Sequence, residues 1–175
     1  MHKSVERPLA LSLVVLGGLA RVAQYLNFAP VGAVSLYSGA RLRGWKAYLL
    51  PLVLMAVTDP TVGGYSTATP FVYGSFLISV WIGSRLRETE HPGWIGGAAV
   101  LASLQFFLIT NFASWLTLPQ MYARSLAGLA NCYVAAIPFY GRTLASDLVY
   151  TALLFGLHAW LSRTVATAER VPAMA

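Results

Sequence analysis

The chain has 175 residues, 57% hydrophobic and 10% charged, with a mean hydropathy of +0.63. A soluble domain carries about 25% charged residues, so one soluble core cannot hide this much apolar surface and the composition points to a bilayer. Twelve Lys and Arg against six Asp and Glu give a formal charge of +6; the cations fall in short clusters between apolar runs, which marks topology rather than a nucleic-acid surface.

The apolar runs predict an all-α integral membrane protein of about six transmembrane helices. The first is Leu9 to Ala20, between Arg7 and Arg21. Gly18-Leu19-Ala20 has the small-x-small form of a signal-peptide cleavage site, but losing this helix would leave five spans and a worse charge balance. The second span is Val31 to Leu42, after Asn27 and Pro30, and the third is Ala47 to Thr58, stopping at Asp59-Pro60. The fourth, Pro70 to Ser84, precedes Arg85 and Arg87; the fifth runs from about Trp94 to Trp115. Gly128 to Phe139 is apolar, too short to cross and closed by Pro138, so it reads as a half-helix dipping back or as a helix lying flat at the interface. The sixth span is Leu148 to Leu161. A hydrocarbon core of ~30 Å needs about 20 helical residues, which leaves the second and third short. Continuous apolar runs, rather than alternating ones, exclude a barrel. Residues 1–163 form a single transmembrane domain and 164–175 a short cytoplasmic tail.

Six crossings put both termini on one side. That side holds Lys3, Arg7, Arg41, Arg43, Lys46, Arg85, Arg87, Arg163 and Arg170, and the other Arg21, Arg124 and Arg142. The excess of cations makes the terminal side cytoplasmic, in the bacterial inner membrane.

No catalytic constellation is legible, and no cofactor is expected. His2, His91 and His158 are far apart, no zinc motif or G-x-S-x-G elbow occurs, and neither lysine follows a phosphate-binding loop. The chain is therefore expected not to be an enzyme, and uphill movement of a solute would draw on a partner or an ion gradient.

Polar residues gather instead towards the outer ends of the spans. Arg21, Gln24 and Asn27 follow the first helix, Asp59 ends the third, and Asn111 and Trp115 end the fifth. Tyr122 and Arg124 lie in the last outer loop, Asn131 and Tyr133 in the half-helix, and Arg142, Asp147 and Tyr150 at the start of the sixth helix. Ionisable groups in a membrane face a cavity or one another, so the group predicts a solute pocket open to the outside. Each member also has a plainer role. Asp59 can pair with Arg21; Asp147 can serve the helix dipole behind a Thr143 N-cap. Asn111 can join two helices, and Tyr and Trp can form the aromatic belt. Cys132, the only cysteine, forms no internal disulfide; it reads as packing, or as a thiolate for a soft metal or corrinoid cobalt. Ala98-x-x-x-Ala102 and Ala152-x-x-x-Gly156 are small-residue faces fit for close helix contact.

Two sets of residues carry a family resemblance. Asn27-Phe28-Ala29-Pro30-Val31-Gly32-Ala33, Gly39-Ala40 and the span ending at Asp59 resemble the start of the substrate-binding S components of energy-coupling factor transporters. Ile109-Thr110-Asn111-Phe112, Cys132-Tyr133-Val134-Ala135-Ala136-Ile137-Pro138-Phe139 and Thr143 to Gly156 are similar to an uncharacterised family of bacterial transport-type proteins, related in shape to S components. The resemblance implies six helices, an outer pocket for a vitamin, corrinoid or metal, and partners in the form of a separate membrane scaffold and ATPase subunits. The first helix departs from the pattern: no small residues from Ala10 to Ala23 are spaced by four, so the usual docking motif is missing. A stand-alone secondary carrier and a non-transport accessory or assembly protein are the competing functions; the first of these needs an ionisable group near the bilayer midplane.

Overall fold

The computed structural model describes residues 3–23, 29–87 and 89–168. Among these the chain is all-helical: α1 (Lys3–Ala20) with a 3-10 turn (Arg21–Ala23), α2 (Val31–Arg41), α3 (Lys46–Val62), α4 (Thr69–Ser84), α5 (Pro92–Thr117) and α6 (Leu126–Ala168).

Local chemistry sets most of these bounds. Pro92 opens α5, where a missing N–H costs nothing, and His91 Nδ1 accepts from the Gly93 N–H at 3.2 Å as the N-cap. Gly63 and Gly64, at φ +150° and +75°, stop α3, and both N–H groups turn back to the Asp59 carbonyl. α3 thus runs one turn past the expected stop at Asp59-Pro60. It survives two internal prolines for a specific reason. Each proline removes the N–H that would bond the carbonyl four residues earlier. The Ala47 carbonyl freed by Pro51 accepts from Ser38 Oγ at 2.8 Å, and the Ala56 carbonyl freed by Pro60 accepts from the Tyr65 hydroxyl at 2.6 Å. The first of these bonds also ties α3 to α2.

α2 is the centre of the molecule. It packs against all five other helices, and Val31 and every residue from Ala33 to Ala40 are buried. Its closest neighbour is α4. A Cβ on Gly39 would strike the Val80 carbonyl, and one on Gly83 would strike the Leu36 carbonyl, so the two backbones touch through a glycine on each side. Leu36, Tyr37, Val80, Ala99, Ala102 and Phe155 complete the core around this crossing. At its C-terminus, Arg41 donates to the Arg87 and Thr89 carbonyls at 3.3 Å and lies 5.1 Å from the Phe155 ring centroid, fastening α2 to the α4–α5 connection.

The half-helix expected at Gly128–Phe139 is corrected. That segment is the first part of α6, which continues without a break through Pro138 for 43 residues. One proline removes a single rung from the ladder, and the flanking stretches are long enough to continue it. Thr143 accordingly sits inside the helix, its hydroxyl donating to the Phe139 carbonyl at 3.2 Å, and caps nothing. The short buried helix of this fold is α2, about 16 Å long.

α5 (Pro92–Thr117) and residues Leu126–Thr164 of α6 are long and apolar enough to cross a bilayer, by length and composition. They are two of the six expected spans; α3 and α4, at 17 and 16 residues, are cut short by Gly63-Gly64 and by the Arg85–Arg87 turn. Around an apolar core, large apolar side chains also cover much of the surface, and several polar groups are buried between helices. Leu16, Val57, Trp81, Leu101, Leu153 and Trp160 are exposed, while Asp59, Ser75, Ser79, Ser103, Asp147 and Thr151 are buried.

Candidate functional site

Arg21, Asp59 and Tyr73 form the first polar group. The 3-10 turn after α1 carries Arg21 over the end of α3, where its Nη1 lies 2.6 Å from Asp59 Oδ1. The same nitrogen donates to Thr58 Oγ1 at 2.7 Å and to the Met55 carbonyl at 3.3 Å. From α4, the Tyr73 hydroxyl donates to the other Asp59 oxygen. Both carboxylate oxygens are therefore engaged, and the group links three helices.

The second group lies at the start of α2. Asp147 is midway along α6 and buried, and its carboxylate stands against the N-terminus of α2, beside the Ala33 N–H. Pro30 precedes α2 and supplies no side-chain cap, so the orphan N–H groups of the helix start meet a carboxylate from another helix instead. Gly32 makes this possible, since a Cβ there would fall on the carboxylate. One residue earlier on α6, Ser146 Oγ donates to the Ala29 carbonyl at 2.9 Å. Val31, Met55 and Phe76 form a small apolar cluster with Ala29, Tyr73 and Phe106 packed against it, the level at which the chain enters α2.

The third group lies where α5 meets the start of α6. Trp115 Nε1 donates to the Ala123 carbonyl at 2.9 Å, and the Arg124 guanidinium lies 5.9 Å from the Trp115 ring and donates to the Leu116 carbonyl. Asn111 Nδ2 turns back to the Phe107 carbonyl at 2.8 Å, while its own backbone carbonyl accepts from the buried Cys132 thiol at 3.4 Å. The Tyr133 hydroxyl donates to the Leu108 carbonyl at 2.8 Å. The sequence-predicted residues thus divide among three places. Asn131 and Arg142 are exposed on α6, Tyr150 is half-buried against the main core, and Asn27 lies outside the described residues.

Two buried polar clusters were not anticipated from the sequence. The Tyr37 hydroxyl and His158 Nδ1 are 2.7 Å apart in the core, with the Phe155 ring edge-on to Tyr37. These partners are 121 positions apart, and a lone histidine in an apolar run does not announce a tyrosine. Gln105 Nε2 reaches the Ser75 carbonyl at 2.9 Å and Ser79 Oγ at 3.0 Å, joining α5 to α4. Here a signal was available: Ser75 and Ser79 are four apart and share one face of an apolar helix.

No curated protein and no solved structure matches the chain. A family model described as "Family of unknown function (DUF6580)" matches residues 2–171, nearly the whole length, and the chain belongs to that family.

Proposed function

We propose that the chain is a six-helix protein of the bacterial cytoplasmic membrane, with both termini inside, that captures a small polar solute from the outer face as the binding subunit of a transport system. The exposed apolar surface carries this reading: large apolar side chains cover much of the outside, while carboxylates, hydroxyls and a guanidinium lie inward between helices. Large exposed apolar surface calls for a non-aqueous surrounding, and charges kept inside such a bundle mark function more often than stability. The distribution of Lys and Arg supports the orientation. In this reading α1, α3, α4 and α5 cross directly. α2, at 11 residues, makes the short second crossing. α6, about 65 Å long, exceeds the bilayer, so only part of it lies in lipid. The S-component resemblance supports a division of labour in which other subunits supply the energy.

A second reading, a stand-alone ion-coupled carrier, gains from one observation. Asp147 lies midway along α6 and beside Ser103, near the middle of α5, rather than at a helix end. An ionisable group at that depth is what coupling to an ion gradient requires.

The test is the thermal stability of detergent-purified protein against vitamins, corrinoids, nucleobases and metal ions. A captured solute at 100 times its Kd stabilises the folded state by about 2.7 kcal/mol. The stabilisation is expected to vanish in Tyr73→Phe or Asn111→Ala and to persist in Gly156→Ala, whose position faces open space. A well-folded protein indifferent to the whole panel would remove the capture reading.

A further inference from the structure

We propose that Asp147 and the hydroxyls of Ser103 and Thr151 form a binding site for a sodium-like monovalent cation at the centre of the bundle. α2 and the second half of α6 run side by side in the same direction: Gly32 faces Asp147, and further along Tyr37 meets Phe155 and His158. Thr151 lies one turn beyond Asp147 on the same face of α6. It therefore falls between those two contact points. Ser103 reaches the carboxylate from α5.

Ser103 is 0% exposed and Thr151 2%. Thr151 has no hydrogen-bond partner among the described residues, and Ser103 has none but the carboxylate. A buried hydroxyl left unpaired costs roughly 1–3 kcal/mol, and an ion held between Thr151, Ser103 and the carboxylate supplies that partner. The donors are all hard oxygens, which suit an alkali or alkaline-earth ion and not a soft metal. Charge then selects between these. In its ionised form the carboxylate carries one negative charge, partly offset by the positive end of α2. A monovalent cation brings it close to neutrality, whereas a divalent ion would leave uncompensated charge in a low-dielectric interior. The Ala33 N–H holds the α2 side of the carboxylate, leaving the side towards the hydroxyls for the ion.

This assignment goes beyond the solute-capture reading and is tested without any solute. The full chain in mild detergent is unfolded thermally while NaCl replaces choline chloride at constant ionic strength, with KCl as a second series. Expected is a midpoint that rises saturably with Na+ and stays flat in choline. The half-saturating concentration should increase at least tenfold in Ser103→Ala and Thr151→Val, and the response should disappear in Asp147→Asn. Gly32→Ala, which pushes a methyl group onto the carboxylate, should weaken it too. A wild-type midpoint identical in Na+, K+ and choline overturns the proposal, even if the variants fail to fold. A midpoint that responds to pH and not to Na+ also overturns it, assigning Asp147 to a proton. A Na+ response undiminished in folded Asp147→Asn does so as well, because the ion then binds elsewhere.

Discussion

Gly83→Leu is expected to prevent α2 from docking on α4 and to leave little folded protein; Gly83→Ala is expected to fold with reduced stability. The atom that a Cβ at position 83 would meet is the Leu36 carbonyl oxygen, part of a helix backbone and unable to rotate away. The reciprocal contact, Gly39 on the Val80 carbonyl, means that relief at one point tightens the other. Overpacking of a tight interior costs about 1–3 kcal/mol for added methyl-sized groups, and α2 touches every other helix, so separation here is felt throughout the core. Gly39→Ala should behave like Gly83→Ala. The contrast is Gly156→Ala, where the new methyl group meets nothing and the helix gains about 0.8–1.0 kcal/mol of propensity. Unfolding in detergent followed by circular dichroism measures all three. Equal stabilities for Gly83→Ala and Gly156→Ala would mean that α2 and α4 are not in backbone contact.

Asp59→Ala is expected to cost about 3–5 kcal/mol, the usual result of stranding one member of a buried ion pair. The Arg21 and Asp59 side chains are only 14% and 7% exposed, so solvent cannot replace the lost partner. Removing the Asp59 carboxylate leaves the guanidinium of Arg21 with Thr58 and a backbone carbonyl, and deprives the Tyr73 hydroxyl of its acceptor. Tyr73→Phe should cost less, about 1.5–3 kcal/mol, as the loss of one hydrogen bond to a charged group. The double change Arg21→Met with Asp59→Leu should recover most of the stability, because a buried pair exchanged for apolar groups of similar size is often neutral or better. Thermal unfolding of the wild type and these three variants measures the differences. If Asp59→Ala melted like the wild type, the carboxylate would be free for a ligand instead of serving as the joint between α1, α3 and α4.

Much of this architecture was legible from short-range chemistry. The Arg85–Arg87 turn marks a helix end whatever the tertiary structure, and the expected spans 70–84 and 94–115 lie within two residues of α4 and α5 at each end, whereas the third span was ended four residues early, at Thr58 instead of Val62. The pairing of Arg21 with Asp59 was one of the readings open from charge alone, and the structure makes it. What was illegible depends on distance. Pro138 looks like a stop because a proline removes a rung, yet a stop also needs the following residues to prefer another path, and here they continue the helix. That error displaced Asp147: counted from a cap at Thr143 it lies at a helix end, whereas in the continuous α6 it lies at the middle. The central place of α2 was half visible in Gly32-Ala33, Gly39-Ala40 and the absence of charge before Arg41. Which helix would press on those glycines was not, since Gly83 lies 44 positions beyond Gly39.

The central claim is that the helices cross a bilayer with the Arg21, Asp59 and Tyr73 end outward. Single cysteines report this directly. In a Cys132→Ser background, Arg43→Cys and Glu90→Cys lie in the α2–α3 and α4–α5 connections, and Thr67→Cys and Gln120→Cys in the α3–α4 and α5–α6 connections; all four positions are exposed. With a membrane-impermeant maleimide on intact cells, positions 67 and 120 are predicted to label, and positions 43 and 90 only after permeabilisation. Uniform labelling of all four, or release of the protein from membranes by an alkaline wash, would contradict the account.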